Sequence, residues 1–169
     1  MEFCITTNFD LFETVKLITP YLMGVVVLLI WFFQKGKEVL ASEAKEVNKD
    51  LLELAVVSIS IIHEGSKDKA ELQSKLARFK ELSEKAHRSL LFINKSKKIK
   101  NLETLINNFY LYKESIYHST NNTLNCSDVF VIIQFLQSDH MKDNVKKFDY
   151  FIDKIIDIIH PYAVYKKYF

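Results

Sequence analysis

A chain of 169 residues, 49% hydrophobic and with only three Gly and two Pro, has room for one domain and a short appendage. It holds too few turn formers for a β-rich or disordered chain. Its formal charge of +2, carried by 21 Lys and 2 Arg (Arg78 and Arg88), excludes the strongly basic balance of a dedicated nucleic-acid binder and disfavours bidentate phosphate recognition.

Residues 1–16 read as a short extracytoplasmic lead-in. Thr7 and Asp10 offer a helix start, and Phe9, Phe12 and Val15 recur at helical spacing, as in an amphipathic helix on the outer leaflet. Leu17 to Gln34 follows as LITPYLMGVVVLLIWFFQ, eighteen uncharged residues between Lys16 and Lys35. Crossing the hydrocarbon core takes about 20 apolar residues, with a range of roughly 17–25. Thr19 reads as the N-cap of this helix and Pro20 as its first residue, where a missing N–H costs least. Tyr21 at one end and Trp31, Phe32 and Phe33 at the other suit the headgroup levels.

A core helix of a small domain is rarely apolar on every face. A cleaved signal peptide needs a basic lead-in and a small-residue cleavage site, whereas Glu2, Asp10 and Glu13 precede this run and Gln34, Lys35, Gly36 and Lys37 follow it. Residues 17–34 are therefore read as a transmembrane helix. Lys35, Lys37, Lys45 and Lys49 on its C-terminal side outweigh Lys16 on the other. The positive-inside bias then puts the N-terminus outside and residues 35–169 in the cytoplasm. Cys4 and Cys126 would lie on opposite sides of the membrane, so no internal disulfide is expected, and two Cys so far apart have no metal-site spacing.

The first cytoplasmic helix is predicted over about residues 36–64. Leu40, Ala44, Val47, Leu51, Leu54, Ser58 and Ile61 form an a/d seam at alternating spacings of four and three. Val56, Val57, Ile59 and Ile62 widen the apolar face, so this half is expected to be buried on more than one side. Only Gly36 interrupts the helical pattern between span and bundle. Gly65 is a C′ residue and Ser66 an N-cap for a second helix reaching about Asn94, with Leu72, Leu76, Phe79, Leu82, Ala86, Leu90 and Ile93 inward.

A turn is expected over residues 94–98, then a third helix over 98–118 with Ile99, Leu102, Leu105, Ile106, Phe109, Tyr112 and Ile116 inward. STNNTLNC, residues 119–126, reads as a loop. Ser127 and Asp128 restart a helix at VFVIIQFLQ. After a bend near Asp139, Met141, Val145, Phe148, Ile152, Ile155 and Ile159 continue the pattern until Pro161 stops or kinks it. The run VFVIIQF could be a strand by composition, but it has no partner strand. The fold class is all-α: a single N-terminal transmembrane helix followed by a cytoplasmic antiparallel four- or five-helix bundle.

Charge is uneven. Residues 67–100 carry eleven basic and four acidic side chains, densest at Lys95, Lys97, Lys98 and Lys100. At about 1.5 Å per residue, the first helix climbs about 43 Å from the membrane and the second descends about 42 Å, returning this turn to the surface. There Lys can meet anionic lipid, as can Lys166 and Lys167 in the aromatic-rich tail YAVYKKYF. RNA or DNA binding through the same lysines lacks any recognition-helix or Gly-rich signature.

Catalytic chemistry is weakly signalled. Glu84 and His87 form the Glu-x-x-His pair of di-iron bundles, with Asp157 and His160 a loose second copy and Glu53 a spare carboxylate. Such a site needs two such pairs and two further Glu. Cys126 and His118 sit in no recognisable nucleophile motif. Three glycosylation tripeptides, at Asn94, Asn121 and Asn125, would be cytoplasmic and unused.

The expected function is a non-enzymatic, membrane-anchored interaction or scaffold protein, oligomeric and holding a partner at the cytoplasmic membrane face. Membrane lipids, a protein partner and further copies of the chain are its expected partners; no cofactor, metal or nucleic acid is expected. Self-association would use Gly24 in the span, which permits close helix approach, and an open seam of Leu40, Ala44 and Val47. The alternative is a membrane-perturbing effector, such as a toxin or antiviral defence component, released by a partner or signal. An enzyme with a helical-bundle active site is the third reading.

Overall fold

The computed structural model describes residues 11–63, 69–126 and 128–164. It holds five helices and, among the described residues, no strand: α1 (Leu11–His63), α2 (Lys69–Lys97), α3 (Leu102–Cys126), α4 (Val129–Leu136) and α5 (Asp139–Ala163). The chain divides into two compact units, one ending at Val39 and one beginning at Leu40. Thr7, Phe9, Cys4, Gly65, Ser66, Lys166 and Lys167 lie outside the described residues.

The first unit is helical from Leu11, eight residues before the expected start at Thr19. Pro20 therefore stands inside α1 rather than at its first position. Thr19 is no cap: its hydroxyl donates to the Val15 carbonyl at 2.6 Å. The first described turn of α1 contains Glu13, which suits a helix N-terminus electrostatically. Gly36 does not break the helix either, as α1 continues to His63.

The second unit is a helical bundle whose core follows from helical periodicity. On α1, Leu40, Ala44, Val47, Leu51, Leu54, Ser58 and Ile61 are all buried. On α2 the buried set is Leu72, Leu76, Phe79, Leu82, Ser83, Ala86, Leu90 and Ile93; on α5 it includes Met141, Val145, Phe148, Ile152, Ile155 and Ile159. Intervals of three and four place each set on one helix face. Phe148 stands at the centre, its ring 5.5 Å from that of Phe79 and 5.1 Å from that of Phe109.

Helix directions follow from which side chains meet. Glu46 reaches Lys85 and Glu53 reaches Arg78, so α1 and α2 run oppositely. The His87 ring lies 5.0 Å from Tyr110, and the Lys80 amine lies over Tyr117, so α2 and α3 run oppositely as well. Ser58 of α1 donates to Asp149 of α5 at 3.2 Å.

Three expectations are corrected here. Residues 119–126 are the last two turns of α3, not a loop. The inward face continues through Thr120 and Leu124, both buried, and the Thr123 hydroxyl returns to the Ser119 carbonyl at 2.8 Å. Burial of Leu124 outweighs the modest helix penalty of the Asn and Thr residues around it. Leu124→Ala should accordingly cost about 2–3 kcal/mol in chemical denaturation; an exposed loop position would cost under about 0.5 kcal/mol.

The turn between α2 and α3 falls later than expected, at residues 98–101. Lys98 (φ 47°) and Asn101 (φ 68°) take left-handed conformations there, and the Lys98 amide donates to Asn94 to close α2. On α1, Val56 and Ile59 are exposed rather than buried, and Val57 is only half-buried. Only Ile62 of that group joins the core, because the bundle covers one face of α1.

Two restarts are as expected. The Asp128 carboxylate accepts from the Phe130 amide at 2.8 Å and caps α4. The chain then breaks at Gln137–Ser138, where Ser138 caps α5 by accepting from the Met141 amide.

Candidate membrane segment and interaction surfaces

Within the first unit, every side chain from Leu17 to Gln34 is exposed, and an 18-residue window of this helix has a mean hydropathy of 2.0 with none of it buried. Exposure of its large apolar side chains runs from 45% at Ile18 to 74% at Tyr21. Among the described residues this is the one helix long and apolar enough to cross a membrane. Eighteen residues rise about 27 Å, close to the thickness of the hydrocarbon core. Gly24 is open on its Cα side, with no side chain nearby.

Leu40, Ala44 and Val47 lie elsewhere than the sequence suggested. They are 3%, 0% and 0% exposed, and belong to the bundle's own core. The expected open seam is thus occupied within one chain, where α2 runs alongside it with Ser89 meeting Glu43 and Lys85 meeting Glu46. The apolar stripe that α1 does leave open is Leu52, Val56 and Ile59, again at intervals of four and three. A second open apolar patch is Val129, Phe130 and Val131 on α4, with Phe130 74% exposed; α4 buries Ile132 and Leu136 instead. Sequence reasoning missed both, because an apolar residue at a helical interval signals burial without saying which face is covered.

Of the predicted lysines, Lys95, Lys97, Lys98 and Lys100 come together at the α2–α3 turn, all exposed. Other charges are tied into the bundle. Lys85 bridges Glu46 at 2.7 Å and the buried Asp50 at 3.0 Å. The Glu46 hydrogen bond raises the Lys85 pKa, and Lys85 in turn lowers that of Glu46. Arg78 is held by Glu53 and Glu81, and the Ser89 hydroxyl donates to Glu43. Lys113 was also missed: it occupies the inward interval between Phe109 and Ile116, is buried, pairs with Glu114 and lies 4.8 Å over the Tyr110 ring. That spacing was the available signal.

The Glu84–His87 pair gathers no further ligands. The His87 ring packs at a tilt against Tyr110, and burial, then Lys113, holds its pKa below the usual value. Among the described residues no group of three or more His, Cys, Asp or Glu side chains is placed to hold a metal. His118 is bound to Glu114 at 2.8 Å, while His160 is exposed in the last turns of α5.

One titratable group stands out between α1 and α5. Asp149 is half-buried in a groove with Ile59, Ile62 and Val145, faced by Asp139, Lys142, Asp143 and Lys146. Burial pushes its carboxyl up to about 6, against the lowering effect of the Ser58 hydrogen bond, with Asp153 adding to the rise. A raised acid pKa means that the folded state binds this proton more tightly than the unfolded chain. The stabilisation is complete below pH about 4 and is lost as pH rises through about 6. Asp149→Asn should therefore gain about 1 kcal/mol at pH about 7.5, after allowing for solvent screening, and nothing at pH about 4. Urea midpoints at the two pH values test this; equal gains at both would contradict it.

Comparison with protein-family models, with curated proteins and with solved structures finds no match to this chain.

Proposed function

We propose that this protein is a single-span membrane protein with its N-terminus outside, residues 17–34 in the bilayer and residues 35–169 folded in the cytoplasm as an antiparallel bundle. The bundle serves as a non-enzymatic scaffold that self-associates and holds a protein partner at the membrane face. The observation that carries the reading is the contrast between the two units. One exposes an apolar helix of which, among the described residues, no part of the span window is buried, while the other closes a core of its own. In water the first would expose far more contiguous apolar area than a soluble monomer tolerates. The lysine asymmetry across residues 17–34 supports the orientation.

Two features favour a scaffold over an enzyme. Two buried polar groups of the bundle, Asp50 and Ser58, are engaged in helix-to-helix contacts, with Lys85 and Asp149 respectively. The open apolar groups at Leu52, Val56 and Ile59 and at Val129–Val131 offer surface for protein contacts. Chains inserted the same way would present the α1 stripe in parallel to one another.

Cross-linking in native membranes is expected to give dimers or larger species, reduced by Leu52→Lys with Val56→Lys; monomers alone would contradict the self-association. Induced expression should leave growth and membrane potential unchanged. Depolarisation would replace the scaffold with a membrane-perturbing effector.

A further inference from the structure

Resting on the span reading above, we infer that the α2–α3 turn is a docking surface for the headgroups of anionic phospholipids in the leaflet that the bundle faces. Residues 94–104 carry Lys95, Lys97, Lys98 and Lys100 against the single acid Glu103. Lys95, Lys98 and Lys100 are exposed and, among the described residues, take part in no salt bridge, unlike Lys85, Lys113 or Arg78. Left-handed backbone at Lys98 and Asn101 folds the turn tightly, so Lys98 and Lys100 of the turn follow directly on Lys95 in the last turn of α2.

Position supplies the second argument. Ser89 meets Glu43 and Lys85 meets Glu46, a register that carries Leu40 to the level of Leu91 and Phe92. The lysine turn therefore lies at, and slightly past, the end of the bundle at which α1 enters it. Only residues 35–39 separate Gln34 from Leu40, so the tether spans at most about 20 Å whatever its angle. That end of the bundle cannot stand far from the bilayer that residues 17–34 cross.

The surface also has the mixed chemistry of an interface binder. Leu91 and Phe92 are exposed one turn above the lysines, and Leu91 shares a helix face with Lys95. Apolar groups beside Lys suit the boundary between headgroups and acyl chains. A soluble polyanion would use the lysines but leave these two side chains in water. Each Lys close to an anionic surface strengthens attachment about fivefold.

The full chain in lipid nanodiscs provides the test, with a headgroup-nitroxide lipid broadening nearby amide signals. In discs with about one third phosphatidylglycerol, broadening over residues 94–101 should be at least about fivefold that in phosphatidylcholine discs. It should collapse at high salt and in the Lys95→Gln, Lys98→Gln, Lys100→Gln triple variant. Equal broadening in both lipids, or an undiminished effect in the triple variant, overturns the inference while leaving the span intact. So does a shift of these signals in neutral discs produced by inorganic phosphate or by an added soluble protein. A chain that enters neither disc overturns the span and this surface together.

Discussion

Two aspartates placed in the apolar segment, Val26→Asp with Leu29→Asp, should move the protein out of the carbonate-resistant membrane fraction. Each charge at the centre of a span costs about 2.5–3.5 kcal/mol on insertion, so the pair costs about 6 kcal/mol. Neither residue contributes to the buried core, which begins at Leu40. The melting transition of the bundle, followed by circular dichroism, should therefore stay within about 5 °C of the wild type. A variant that stays in the membrane pellet would mean that residues 17–34 are not what holds the protein there.

Phe148→Ala should produce the largest loss of bundle stability, about 4 kcal/mol. Its side chain is fully buried and packs against two further rings, Phe79 and Phe109, on different helices. Truncation leaves a cavity where α2, α3 and α5 meet and removes both aromatic contacts. Against a typical domain stability of about 5–15 kcal/mol, that loss would leave a marginal fold. Phe130→Ala is the matched control. The same chemical change on the exposed face of α4 should alter stability by less than about 0.5 kcal/mol. Denaturant midpoints of the two variants in detergent separate these outcomes, and equal losses would contradict the assignment of Phe148 to the core.

Much of this arrangement is legible in the residues. The seams of α1, α2 and α5 can be read from intervals of three and four, and the break between α4 and α5 from the polar stretch after Leu136. Asp128 as a cap follows from its side chain reaching a free amide two residues on. What sequence reading mistook falls at particular places. Residues 119–126 look like a loop by composition, yet Thr120 and Leu124 extend an inward face begun at Leu102; tertiary burial overrides local propensity. Thr19 and Pro20 look like a helix start, yet the chain is already helical at Leu11 and carries the proline inside α1.

The surfaces were harder still. Periodicity identifies an apolar face but not its occupant: it leaves Leu40, Ala44 and Val47 open, whereas they belong to the bundle's own core. It buries Val56 and Ile59, whereas both are exposed. Lys113 shows the converse: a charged residue at an inward interval is accommodated because Glu114 and the Tyr110 ring receive its amine.

The claim on which the rest depends is that the apolar part of α1 lies in lipid, and the chain carries its own probe for it. Trp31 is the only tryptophan, three residues from the end of the segment. In proteoliposomes its emission should be blue-shifted and strongly quenched by lipids brominated near the headgroup end of their acyl chains. Emission at the wavelength of an indole in water, unquenched by brominated lipid at any depth, would contradict the account.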